Sequence, residues 1–298
     1  MRMRVRFVSV LLVVACSGPS TAVSAGSTAS PTPTQGITVP NVPTTVPSAP
    51  TTIAMPTTST PLLDAYGRPV WLGTIALPVQ EGGFGEVQPT PPELTGRAFG
   101  TVDLLLPPLS ATFASTIGSI PDDVLARSTW TSDCPVAVED LAYVTVSHLG
   151  FDGLAHTGEL IVNRAVADDI VSVFAALYEA RYPVEEMRVV AAPELDLPPT
   201  GDGNNTTAFV CRAATGGTKW SQHAYGLAID INPFQNPYWK GDLVLPELAS
   251  YYTDRELAAP GLITSGGAAD TAFALIGWGW GGNWRSLKDW MHFSQNGN

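Results

Sequence analysis

Residues 17–61 carry no charged and no aromatic side chain, and Pro and Thr dominate them, as in Pro31-Thr32-Pro33-Thr34. Such a tract cannot bury enough apolar surface to offset the entropy of ordering, so it is expected to stay extended and disordered. At the rise of a polyproline-like chain it reaches about 140 Å. Folding is thereby pushed into residues 62–298. The 298-residue length allows one large domain or two small ones, either with a sizeable core.

The chain opens Met1-Arg2-Met3-Arg4-Val5-Arg6 and then runs largely apolar over 7–15. A basic start before a short apolar core is the form of a secretory signal peptide, and the run is too short to span a bilayer as a helix. It ends Val13-Val14-Ala15-Cys16, which resembles a bacterial lipobox. The resemblance implies that residues 1–16 are a lipoprotein signal, that Cys16 is acylated, and that the exported protein is anchored to the membrane in the cell envelope. Each buried acyl methylene contributes about 0.8 kcal/mol to such an anchor. The other reading is simple cleavage that leaves Cys16 free. On the lipobox reading, residues 17–61 are a linker between membrane and folded domain.

Cys134 and Cys211 are then the remaining thiols. An even pair in an exported protein reads as one disulfide, with two buried free thiols as the alternative. Neither has a second cysteine at the spacing of a zinc-binding pair. The net charge of −12 argues against a nucleic-acid partner, which needs clustered Lys and Arg. A monomer is expected.

Residues 62–129 mix short apolar runs with Pro and Gly and read as an irregular extension without an interpretable motif. From about Trp130 the pattern sharpens. Residues 142–147 alternate and are rich in β-branched side chains, so a strand is predicted, with 159–162 as its hairpin partner. Val166, Ile170, Val173, Phe174 and Leu177 have the spacing of an amphipathic helix over 166–181. Residues 188–190, 227–231 and 290–293 are further strand candidates. The order of these elements predicts a small α+β domain over 130–298.

Two segments carry chemistry: residues 221–233, containing His223 and Asp230, and residues 289–293, Asp289-Trp290-Met291-His292-Phe293. Two imidazoles and one carboxylate leave a fourth tetrahedral position open, the make-up of a catalytic zinc site as opposed to a closed structural one. Asp289 is the leading candidate for the carboxylate that moves the proton. His148 and His156, the other two histidines, flank the first hairpin loop and read as structural, with a substrate-facing loop as the second reading.

Ser221, His223, Gly226, Ala228 and Asp230 together resemble the Ser-x-His-x-x-Gly-x-Ala-x-Asp signature of the VanY-type D-alanyl-D-alanine carboxypeptidases. Asp289 to His292 resembles that family's second motif, Glu/Asp-x-x-His. The likeness is strongest over 209–237 and 277–293 and weaker back to about Cys134. It implies a zinc peptidase of the lysostaphin, D-Ala-D-Ala peptidase and hedgehog fold group: a small antiparallel sheet with flanking helices. It also implies one Zn2+ on His223, Asp230 and His292, Asp289 as catalytic carboxylate, and peptidoglycan stem peptides as substrate. The better-studied branch has Glu where this chain has Asp289, one methylene shorter.

Arg212 aligns with a family arginine that binds substrate or steadies the tetrahedral intermediate; a surface or ion-paired arginine is the other reading. Ser221 and Trp290 are expected to contact substrate. Arg285 and Lys288 are candidates for a substrate carboxylate, with solvation as the plainer role. Six of the eight tryptophans follow residue 219, as core and rim packing or as stacking surfaces for glycan. A related endopeptidase would use the same ligands, and a wall-binding module would keep zinc without turnover.

Overall fold

The computed structural model describes residues 62–298; the expected lipoprotein signal over 1–16, Cys16 and the expected linker over 17–61 lie outside the described residues. In chain order the elements are β1 (Ser115–Gly118), α1 (Asp122–Arg127), β2 (Leu141–Leu149), β3 (Ala155–Asn163), α2 (Ala167–Glu179), β4 (Glu186–Met187) and β5 (Asn205–Thr206). Then follow β6 (Ala228–Asp230), β7 (Tyr238–Lys240), β8 (Leu243–Leu245), α3 (Ala268–Leu275), β9 (Gly279–Trp280), β10 (Lys288–Asp289) and β11 (His292–Ser294). Three small antiparallel sheets, ordered β1-β2-β3, β6-β11-β9 and β10-β7-β8, and a few helices make an α+β architecture. No helix among the described residues is long and apolar enough to cross a membrane.

The alternation over 142–147 does form a strand, and the hairpin is longer than its sequence signal, with β2 and β3 in register from Leu141↔Asn163 to Leu149↔Ala155. Val144, Val146, Leu160 and Val162 turn to one face and meet Ile170, Val173, Phe174 and Leu177 of α2, the predicted apolar stripe. Asp168 and Asp169 sit in the first turn of α2, where carboxylates favour the helix dipole. The helix stops before Arg181, which adopts a left-handed φ of 55°. Below α2 the same core continues through Ile229, Phe293 and Phe273, the last two stacked with ring centroids 4.0 Å apart.

The strand expected at 188–190 lies two residues earlier. Glu186 and Met187 pair in parallel with Asn205 and Thr206. Arg188 leaves the ladder because its N–H donates to the Asn205 side chain at 2.9 Å and its guanidinium turns to Glu194. The predicted strand over 290–293 is interrupted as well: Trp290 and Met291 turn the chain between β10 and β11.

Residues 62–129 are less irregular than their composition suggests. β1 adds an edge strand to the first sheet through four register pairs with β2. Further upstream, Leu77, Leu94 and Phe99 join Phe234, Val244, Leu248 and Tyr252 in a second core. Arg97 anchors this arrangement. Its guanidinium meets Glu185 at 2.6 Å, both side chains nearly inaccessible, and donates to the Asp202 carbonyl while lying over the Phe234 ring. The backbone joins in, from Leu77 N–H to Pro199 and from Gln88 N–H to Glu247. The extension therefore buttresses segment 199–262, which forms one wall of the cleft described below. Cys134 and Cys211 form a disulfide, with Cα atoms 5.9 Å apart beside a third small core around Leu141, Ile161 and Phe209.

His148 and His156 oppose each other across the hairpin. His156 lies between Asp103 and Asp152, at 2.9 and 3.1 Å, whereas the buried His148 Nδ1 has no partner among the described residues. Burial first, and the neighbouring His156 second, push the His148 pKa down from 6.5 to about 4.

Two outcomes are expected. Arg97→Met leaves the Glu185 carboxylate buried without its cation, a change that costs about 3–5 kcal/mol; urea unfolding should show the loss. Between pH 6.5 and about 4 the unfolded chain takes up a proton at His148 that the folded chain refuses, so stability falls as pH drops through that window. Unfolding curves at pH 7, 5 and 4 should therefore show a smaller loss in His148→Phe than in the wild type.

Candidate metal centre

The first motif is a set of backbone instructions around one imidazole. The Ser221 side chain accepts the His223 N–H at 3.3 Å and caps the single 3-10 turn Gln222–Tyr225. Gly226 closes it at φ 67°, the left-handed conformation that glycine adopts without strain. A side chain at 226 would also collide with the end of β3, since a Cβ there would lie 2.5 Å from the Asn163 nitrogen. Ser-x-His-x-x-Gly is thus a capped turn that aims one histidine while touching the hairpin.

The second and third donors come from strand register. β6 and β11 are antiparallel with Asp230 directly opposite His292, so both side chains share a face. The neighbouring pair Ile229 and Phe293 points the other way, into the core. His223 Nε2, Asp230 Oδ1 and His292 Nδ1 converge, separated by 3.2, 3.0 and 3.2 Å. A tetrahedral zinc with bonds of about 2.0–2.1 Å spaces its donors about 3.3 Å apart, so this triangle fits one face of such a site.

The histidine tautomers agree with that fit. His223 Nδ1–H donates to the Ala208 carbonyl at 2.5 Å, and the far nitrogen of His292 lies 3.4 Å from the Asn298 main-chain oxygen. Each partner directs the remaining lone pair inward, the outer-shell arrangement typical of metal-binding histidines. Burial opposes the Asp230 charge, but His223 and His292 outweigh it and hold the carboxyl well below the usual range. Burial likewise opposes a charged His292, and Asp230 and Asp289 outweigh it, raising its pKa. The field at the centre favours a cation.

Asp289 stands beside the triangle on β10, opposite Tyr238 of β7. Gly281 packs beneath it, where a Cβ would come within 2.9 Å of the Asp289 Cβ. Oδ1 of Asp289 is buried without a hydrogen-bond partner among the described residues. Burial first and the Asp230 charge second push its pKa up to about 7, against His292 and Arg212.

These groups lie where two cavities meet. One, of about 260 Å³, is lined by Ser221, His223, His292, Trp220 and Trp284. The other, of about 300 Å³, is lined by Gly201, Leu245, Pro246, Glu247 and Met291. Arg212, Thr215, Asp230, Tyr238 and Asp289 line both.

Residues 215–295 match the family model of the D-alanyl-D-alanine carboxypeptidases. The family resemblance read from the two motifs is borne out over that span, which holds all three donors and Asp289. The match to this metallopeptidase family does not extend back to Cys134, and Arg212 lies just outside it. No curated protein and no solved structure matches the chain.

Most residues singled out in the sequence gather here: the three donors, Asp289, Arg212 and Ser221. Trp290 is the correction. Expected at the substrate, it is 6% exposed in the core, stacked on Trp239 at 5.9 Å and with the Arg255 guanidinium 4.8 Å from its ring centre. The turn between β10 and β11 sends it inward. Arg285 and Lys288 line a separate shallow pocket with Trp239 and are not in the cleft. His148 and His156 lie against the extension, away from the donors. Trp284, its ring 5.6 Å from His292, and Tyr238 are in the cleft although neither belongs to a motif.

His223→Ala, Asp230→Ala and His292→Ala should each lose stoichiometric zinc, read by atomic emission after dialysis. Zinc retained at one per chain in all three variants would place the metal elsewhere. Gly226→Ala should weaken zinc uptake and lower stability by about 1–3 kcal/mol, through left-handed strain and collision with β3.

Proposed function

We propose that the chain is a zinc-dependent peptidase of bacterial cell-wall stem peptides, first of all a D-alanyl-D-alanine carboxypeptidase. The observation that carries this reading is the convergence of two imidazoles and a carboxylate beside an unpartnered Asp289 carboxyl in an open cleft. The family match over 215–295 supports stem peptides as the substrate class. Zinc held by His223, Asp230 and His292 would supply a Lewis acid that polarises the scissile carbonyl and acidifies water.

The chain's own residues do the rest. Asp289, the unpartnered carboxyl beside the donors, takes the proton of the attacking water and delivers it to the leaving amine. Arg212, in the wall of both cavities, is placed to meet negative charge on the substrate. Ser221 acts through the turn it caps, by fixing the direction of His223.

A carboxypeptidase needs a cation at the substrate's terminal carboxylate, and with Arg285 and Lys288 outside the cleft that task falls to Arg212. One observation favours a second reading, cleavage within the stem or at a cross-bridge. The two cavities share Asp230, Asp289, Tyr238 and Arg212 in their lining, so a peptide could extend into both. The hedgehog-like fold group, a lipid anchor at Cys16 and a tether through residues 17–61 belong to the same proposal: they would bring the cleft within reach of the wall.

Incubation with defined muropeptides, with and without chelator, tests it. Chelator-sensitive release of free D-Ala is the expected product; internal fragments would favour the endopeptidase. Asp289→Asn should lower kcat about 10²–10⁴-fold while one zinc per chain is retained. Unchanged muropeptide binding with no product from either protein would instead mean a binding module.

A further inference from the structure

Tyr238 belongs to no motif, yet it stands where the two cavities meet. It opposes Asp289 directly in the β7–β10 pair, so the two side chains share one face. The next residue, Trp239, turns to the other face and stacks on Trp290, with ring planes 10° apart. That stack and the β7–β8 ladder fix the strand, and alternation then directs Tyr238 into the cleft. It lines both cavities in company with Asp230, Asp289 and Arg212.

A tyrosine removed from water ordinarily finds a partner for its O–H. Tyr143 donates to Glu159, Tyr178 to the Ala111 carbonyl, Tyr182 to the Gly261 carbonyl and Tyr252 to the Leu94 carbonyl. Tyr238 is only 8% exposed, and its hydroxyl makes no hydrogen bond to another described residue. Tyr66, Tyr225 and Tyr251 also lack a hydroxyl partner among the described residues, but each is more exposed than Tyr238. Burial and the charge of Asp289 keep the phenol protonated at neutral pH. A neutral O–H without a partner, beside the metal-binding triangle, is a donor left over for something that enters the cleft.

We propose that Tyr238 donates a hydrogen bond to the scissile carbonyl oxygen of the bound peptide as that oxygen gains negative charge. This rests on the peptidase reading above. A donor of this kind is preorganised: the strand pair and the tryptophan stack hold it before substrate arrives, so little reorganisation is needed as charge develops. It also offers Arg212 an alternative employment. With Tyr238 on the oxyanion, the guanidinium is free to hold the terminal carboxylate of a carboxypeptidase substrate.

Tyr238→Phe removes one oxygen and keeps the ring that packs the cleft wall. Zinc content and melting temperature should match the wild type. On a muropeptide, kcat should fall about 10²-fold with KM nearly unchanged, because the bond forms as charge develops. A phosphinate pseudopeptide, which mimics the tetrahedral state, should bind the zinc-loaded variant more weakly by a similar factor, read by calorimetry, while affinity for the product peptide is unchanged.

Equal kcat in variant and wild type would overturn the proposal and leave the peptidase reading standing. So would a rise in KM alone, which would mark a ground-state contact, or lost zinc or a lowered melting temperature, which would mark a structural role. A wild-type protein that neither hydrolyses muropeptides nor binds the phosphinate would overturn the peptidase reading and this proposal with it.

Discussion

The pairing of β6 with β11 is the constraint on which the rest of the molecule depends. Three residues on each strand form it, and alternation divides the work. Ile229 and Phe293 enter the core, where Phe293 stacks on Phe273 of α3, while Asp230 and His292 emerge opposite each other on the cleft side. A slip of one residue would exchange the two faces, burying the carboxylate and exposing the phenylalanine. The apolar contacts that stabilise the sheet thus also fix the register of the donor set. Packing and chemistry are enforced by the same hydrogen bonds.

Two further devices complete the centre, each with its own support. The capped turn between Ser221 and Gly226 aims His223, and its glycine touches β3, so the first hairpin braces the candidate metal site. On the other side, β7 and β10 carry Tyr238 and Asp289 as a second cross-strand pair. That sheet is held by the Trp239–Trp290 stack and by Arg255, which also bonds the Asn236 side chain and the Ile263 carbonyl. The extension contributes at one remove. Through Arg97, Glu185 and the second core it steadies the wall that holds Gly201, Pro246 and Glu247.

The site was more legible in the sequence than the fold around it. His223, Gly226, Asp230 and His292 stand at spacings set by a tight turn and a short strand, and such local requirements leave marks on neighbouring residues. The α2 stripe and the β2 alternation were legible for the same reason, since each follows from a backbone period. The strand at 186–187 was misplaced because only two pairs hold it and the Asn205 side chain ends it. Trp290 was misassigned because an aromatic beside a ligand reads alike whether it faces the cleft or the core. The extension had no periodic pattern to show: its order comes from partners more than a hundred residues away.

The sequence alone therefore determined the donor types, their spacing within each motif, the main hairpin and helix, and a cysteine pair suited to a bridge. These are local properties, written in propensities and caps. Tertiary structure decided which residues 62 positions apart become cross-strand neighbours and which aromatic rings face inward. It also decided that Tyr238 stands beside Asp289. Those are matters of register between distant strands, and register is set by how the whole core closes.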